Sequence, residues 1–139
     1  MSDYDPQNIF AKILRGEISC ETLYEDERSL AFMDIMPRAD GHCLVIPKVS
    51  ARTFADLPPA ELGPFFATVQ KVAVAARRGM GADGLTVQQF NEAAGGQVVF
   101  HMHVHLLPRW DGMSLRPHTG AMADGATLAE HASRIRAAL

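Results

Sequence analysis

A chain of 139 residues with a formal net charge of -3 and a pI near 6.0 presents no positive field for a nucleic-acid polymer or an anionic membrane surface. Hydrophobic residues at 47% against 21% charged are the balance of one compact domain, and no apolar run approaches a membrane span in length. Cys20 and Cys43 lie far apart with no C-x-x-C spacing, and no secretory signal is visible, which reads as two free packing thiols in a reducing, cytoplasmic compartment.

Asp5 and Pro6 precede Ile9, Phe10, Ile13 and Leu14, a short amphipathic helix with Asp5 as its cap, Pro6 in its first turn and Gly16 as its stop. Two β-like runs follow, Thr22–Glu25 and Ser29–Asp34, with the polar Asp26-Glu27-Arg28 joining them as a hairpin. Ile35 to Gly41 is a loop by its Pro and Gly, and it leads into a buried strand, His42–Pro47, stopped by proline. A long packing helix starts near Pro58-Pro59 and ends at Arg77-Arg78-Gly79, a basic last turn followed by glycine. Gly81 to Gly84 turn into a strand, Leu85–Phe90, and Asn91 to Gln97 return the chain antiparallel to it. Arg109 to Ala123 has no clear period, and a last helix is expected with Thr127 as cap and Glu130 three residues on. The expected fold is α+β: an antiparallel sheet of about five strands with one long helix and short terminal helices, in a single domain over 1–139 with its core in 8–110 and a tail in 111–139.

Half of the six histidines fall in His101-Met102-His103-Val104-His105, alternating with apolar residues from Val98 to Leu107. On a strand, His101, His103 and His105 share one face, and Val98, Phe100, Met102, Val104 and Leu106 form an apolar, core-directed face opposite. Three imidazoles in register each need partners for an N–H and a lone pair, so mere decoration is a poor account of them. Two histidines at i and i+2 can share a zinc ion, but His101 and His105 lie ~13 Å apart at a rise of ~3.3 Å per residue, too far to converge on it with the third. Phosphate chemistry suits the row better, since a neutral imidazole is a nucleophile at cellular pH and a protonated neighbour stabilises negative charge on phosphoryl oxygens. Gly95-Gly96 would let backbone N–H groups approach an anion closely.

His101 to Leu107 fits the His-φ-His-φ-His-φ-φ signature, and the sequence resembles the histidine triad (HIT) family of nucleotide hydrolases and transferases, in its Hint-type branch and bacterial relatives. Asn8–Ile13, Gly16–Ile18, Ala31–Ile35, Gly41–Lys48 and Asn91-Glu92 with Gly95–Gln97 resemble family segments in the same order, over roughly residues 8–110. The resemblance implies cleavage at the α-phosphate of a purine nucleotide conjugate, a phosphoramidate or dinucleoside polyphosphate among them, through a nucleotidyl-histidine intermediate on His103. It implies His105 on the phosphate, His101 in support, and His42 in the same cluster. Asp34 would bind the ribose hydroxyls, Asn91 and Gln97 would reach the phosphate region, and Ile9, Phe10, Ile13, Ile18, Phe32 and Ile35 would line the base pocket. No cofactor is implied, and a homodimer through the long helix and the Leu85–Phe90 strand is.

Two departures stand out. Some relatives hold structural zinc with Cys-x-x-Cys at the first helix, where this chain has Asn8 and Ala11, so no such metal is expected. A hydroxyl residue often follows the glutamine and assists the leaving group, and here Val98 stands there, which keeps open a nucleotide-binding or partner-binding module with weak catalysis. A metal-dependent enzyme built on the histidine row is the third alternative. Residues gripping the leaving group are expected between Arg109 and His118.

Overall fold

The structure is a computed structural model describing residues 3–117 and 121–139; His118 lies outside the described residues. It contains α1 (Ile9–Leu14), β1 (Thr22–Glu25), β2 (Ser29–Met33), β3 (Cys43–Pro47), α2 (Pro59–Gly79), β4 (Gly84–Gln88), β5 (Val104–Arg109) and α3 (Gly125–Ala137), with short 3-10 turns at Phe54–Asp56 and Ala93–Gly95. The five strands form one antiparallel sheet in the order β1-β2-β3-β5-β4, the expected α+β architecture. Among the described residues no helix is long and apolar enough to cross a membrane.

The two faces of the sheet carry separate apolar clusters, because side chains alternate along each strand. Leu23, Met33, Cys43, Val45, Val104 and Leu106 face α2 and α3, where Phe65, Val72 and Ile135 are fully buried. Leu30, Phe32, Leu44 and Ile46 face the other way and pack with Phe10 of α1. Register carries this alternation across strands: Leu106 pairs with Cys43 on the helix side, and His105 pairs with Leu44 on the α1 side. The candidate site therefore lies on the α1 face, and α2 and α3 supply its rigid backing.

The hairpin, the proline-stopped strand and the long helix with its basic end are as expected. The Asp26 carboxylate makes the hairpin turn by accepting from the N–H groups of Arg28 (2.8 Å) and Ser29 (2.9 Å). Both short-helix caps were misplaced. Asn8, not Asp5, caps α1 by accepting from the Ala11 N–H at 2.9 Å, while Asp5 accepts from the Gln7 N–H before the helix starts. Asp124, not Thr127, caps α3, and Thr127 sits inside the first turn with its hydroxyl donating back to Asp124. In both cases two capping-type residues compete within a few positions, and the one whose side chain meets an unpaired helix N–H wins.

The histidine segment departs most from expectation. Strand geometry begins only at Val104, and residues 98–103 are irregular. Pro47 explains the boundary: it has no N–H to continue the β3–β5 ladder, and its carbonyl is taken by the His101 side chain. The Met102 N–H then bonds the Ala51 carbonyl at 2.8 Å instead of a strand partner. Met102, Val104 and Leu106 remain buried as an apolar row, but Val98 is 76% exposed and Phe100 lies under the Arg52 guanidinium at 4.4 Å. The core-directed face thus starts at Met102 and excludes Val98.

Candidate active site

His103 is held from behind by its own chain. Its Nδ1–H donates to the His101 carbonyl at 2.7 Å, which leaves the lone pair on Nε2. Burial pushes its pKa below the ordinary imidazole value, against the opposing pull of that carbonyl and of Asp34. The ring is therefore neutral at pH 7, with a nucleophilic nitrogen of defined position. Phe10 meets it edge-on at 4.9 Å, so the helix that packs the small cluster also fixes the ring plane.

His101 has both nitrogens committed. Nε2–H donates to the Pro47 carbonyl at 2.8 Å, so Nδ1 accepts a hydrogen bond from the Tyr4 hydroxyl at 2.5 Å. Burial lowers its pKa to about 4, with the Pro47 bond opposing. Its carbonyl is the group that orients the His103 ring.

His42 and His105 form a directed pair. The Arg38 backbone N–H donates to His42 Nδ1 at 3.0 Å, which places the His42 proton on Nε2, 3.0 Å from His105 Nδ1. His105 Nδ1 is then an acceptor, and its own N–H is on Nε2. The Asp34 carboxylate lies 3.4 Å from His42 Nε2 and accepts from the Met36 N–H at 2.8 Å. The His103 and His105 rings are 4.9 Å apart, and Phe90 meets His105 edge-on at 5.6 Å. The structure thus brings together His105 of β5, His103 just before that strand, and Asp34 and His42 at the two ends of the loop between β2 and β3.

The phosphate-side residues sit differently from the simple expectation. Gln97 is buried with its amide fully used: its oxygen accepts from the Glu92 N–H at 2.7 Å, and its nitrogen donates to the carbonyls of Arg52 (2.7 Å) and Val99 (2.9 Å). The Asn91 oxygen accepts from the Phe54 N–H at 2.7 Å. The N–H groups of Gly95 and Gly96 close the short 3-10 turn onto Glu92 and Ala93, so they are spent inside the loop rather than offered to an anion. Glu92 adopts φ 62° and ψ 165°, a region that favours glycine, and is held there by a two-oxygen clamp on Arg52. Of the residues expected to line a base pocket, Phe10 and Phe32 are buried in the small cluster with Ile13 packed against it, while Ile9, Ile18 and Ile35 expose apolar side chains.

Tyr4, Phe90, Arg38 and the Arg52–Glu92 clamp were missed by sequence reasoning. Tyr4 acts 97 residues from its partner, and nothing local marks it. Cys43 is the inert packing thiol expected of it, its pKa pushed up to about 12 by burial. A cavity of about 650 Å³ beside Leu85, Thr86, Arg109 and Trp110 includes none of these histidines in its lining.

A five-stranded antiparallel sheet that gathers three histidines of one segment with a fourth at the adjoining strand defines a histidine-triad domain. The HIT domain family matches residues 15–112, and the chain belongs to this family. Among its relatives are the adenylylsulfatase HINT3 of Arabidopsis thaliana, 38% identical over 117 residues, and an uncharacterized HIT-like protein of Methanocaldococcus jannaschii, 42% identical over 104. The alignments cover 80% and 75% of this chain; it spans 59% of the plant protein's length and 80% of the archaeal one's. A Hit-like protein from Bartonella henselae, described as involved in cell-cycle regulation, superposes with TM-score 0.92 at 47% identity, covering 99% of this chain and 100% of that one. A zinc-bound histidine triad protein from Mycobacterium smegmatis gives 0.81 at 34% identity, covering 95% and 92%.

The donor chemistry here argues against a resident metal. The ligand atoms of Asp34, His42 and His105 lie within 4.8 Å of one another, the one such cluster among the described residues. Yet Arg38 fixes the proton on the His42 nitrogen that faces this cluster, so coordination there would require breaking that bond and changing the tautomer. At the first helix, Asn8 is spent as a cap and Ala11 offers no ligand.

Proposed function

We propose that this chain is a nucleotide hydrolase or transferase acting at the α-phosphate of purine nucleotide conjugates, with His103 Nε2 as nucleophile. The observation that carries the reading is the His103 Nδ1–H bond to its neighbour's carbonyl in a ring kept neutral by burial, which aims a lone pair outward. In the first step Nε2 bonds to phosphorus and the leaving group departs with its electron pair. In the second, water attacks the same phosphorus, the phosphorus–Nε2 bond breaks with its electron pair returning to His103, and the proton lost by water passes to solvent. His105, with its proton on Nε2, stabilises the phosphoryl oxygens, and His42 holds it in that tautomer.

Asp34 suits ribose hydroxyls because one carboxylate oxygen already has a backbone partner that fixes its direction. Ile9, Ile18 and Ile35, which expose apolar side chains, together with Phe10, Phe32 and Ile13 give a purine an apolar seat. Asn91 and Gln97 act by shaping the phosphate loop through their backbone partners. Relatives with an adenylyl-conjugate hydrolase among them support the adenylyl class. We further propose one domain over 1–139, a cytoplasmic setting consistent with its two free thiols, and a homodimer through α2 and β4, where Phe66, Val74 and Val87 expose apolar surface.

The test is turnover of nucleoside phosphoramidates, dinucleoside polyphosphates and adenylyl sulfate by the parent and by His103→Ala, with mass spectrometry of quenched reactions. A nucleotidyl adduct on a peptide containing His103 in the parent, and its loss with activity in the variant, is the expected result. Unchanged turnover in His103→Ala would sink the reading. The exposed Val98, in place of a hydroxyl, motivates the alternative of a nucleotide-binding module with weak catalysis, which predicts binding without any adduct.

A further inference from the structure

The loop from Ile35 to Gly41 carries Asp34 and His42 at its ends, closed by the Asp34 N–H on the His42 carbonyl at 3.0 Å. Its tip is held by the tail that follows β5. The Arg116 N–H donates to the Arg38 carbonyl at 2.7 Å, and Arg38 Nε donates back to the Arg116 carbonyl at 2.9 Å. The Arg116 guanidinium donates to the Pro37 carbonyl at 3.3 Å and pairs with the Asp40 carboxylate, while Ala123 N–H reaches the Ile35 carbonyl at 2.8 Å. A cavity of about 280 Å³ lined by Met33, Pro37, Gly41, Leu128 and His131 lies against the tip.

One peptide plane connects this strap to the site. The Pro37 carbonyl and the Arg38 N–H belong to the same peptide unit, planar and trans, so they point in opposite directions. Arg116 grips the carbonyl end, and His42 Nδ1 accepts from the N–H end at 3.0 Å. A cation on the carbonyl also polarises the unit and makes its N–H the better donor.

We infer that Arg116 is a positioning residue of the active site: by clamping the Pro37–Arg38 peptide it sets the His42 tautomer, and through His42 that of His105. The tail thus reaches the chemistry from behind the ribose side, without touching the reacting atoms. The consequence for rate rests on the nucleotidyl-transfer reading above; the consequence for the tautomer does not.

The experiment uses the full-length chain and its Arg116→Ala and Arg116→Lys variants. Long-range proton–nitrogen NMR of the ligand-free proteins reads the His42 ring, and amide exchange reads Arg38. The parent should show one Nε2–H tautomer of His42. Arg116→Ala should show both tautomers, Arg38 exchange faster by at least about tenfold, and kcat lower by about tenfold with KM little changed, while Arg116→Lys recovers most of each. A single unchanged His42 tautomer with unchanged Arg38 exchange in Arg116→Ala overturns the inference, and so does a loss of kcat without a tautomer change. A parent that forms no nucleotidyl adduct would defeat the functional reading alone, because the NMR arm still decides the clamp.

Discussion

Replacing Tyr4 with Phe isolates one hydrogen bond under the site. The ring remains to meet His101 edge-on at 5.6 Å, and only the hydroxyl 2.5 Å from Nδ1 is lost. His101 is fully buried, and it has no second tautomer to retreat to: moving its proton to Nδ1 would turn the Nε2 lone pair against the Pro47 carbonyl. A buried acceptor left without a partner costs about 1–3 kcal/mol. For a chain of this size that lowers the melting temperature by about 3–10 °C. Urea denaturation of parent and Tyr4→Phe at pH 7.5, with equal m-values, measures it directly. A difference below about 0.5 kcal/mol, the range of ordinary surface substitutions, would refute the Tyr4–His101 hydrogen bond as a stabilising contact.

Three more outcomes are expected. His101 is depressed from 6.5 to about 4 on folding, so its contribution is complete above pH 6.5 and lost as pH falls toward 4; at ~1.36 kcal/mol per pH unit this is about 3 kcal/mol, with His103 acting in the same direction. Urea midpoints that stay level between pH 7 and pH 4 would contradict it. At Glu92, with φ 62°, Glu92→Gly should melt higher than Glu92→Ala, since both lose the Arg52 clamp but only glycine also relieves the backbone; calorimetry giving the reverse order would rule out strain there. Gly41→Ala should lose about 2–4 kcal/mol, because φ is +82° and a Cβ would stand 2.6 Å from Met80 Cγ, and it should lower activity through the adjoining His42; a fully active, equally stable variant would show that the turn can be made another way.

What could be read from the sequence was local and periodic. Met102, Val104 and Leu106 are buried as their alternation required, and α2 ends on Arg77, Arg78 and Gly79 as its charges and glycine required. The rest depended on contacts between distant residues. Residues 98–103 leave the ladder, because Pro47 ends it and the Ala51 carbonyl captures the Met102 N–H. Gly95 and Gly96 looked like an anion cradle, but a glycine pair also closes a tight turn, and which use prevails depends on Glu92 and Gln97. No spacing rule ties Tyr4 to His101 or Arg116 to Arg38, which meet only once the sheet has formed.

The proton positions in the site follow from backbone groups: the Pro47 carbonyl for His101, the His101 carbonyl for His103 and the Arg38 N–H for His42. In the proposed reaction His103 is the nucleophile and His105 the donor to phosphate, and neither is then left over to protonate a departing atom. Val98 cannot supply that proton, and the Gln97 amide beside it is already bonded to three backbone groups. Leaving groups stable as anions, such as sulfate, phosphate or carboxylate, need no proton, whereas an amine does. On the proposed nucleotidyl-transfer reading, acid-anhydride conjugates of the nucleotide should turn over faster than phosphoramidates, and Val98→Ser should raise phosphoramidate turnover selectively. Equal gains on both substrate types, or none on either, would mean that position 98 does not govern departure of the leaving group.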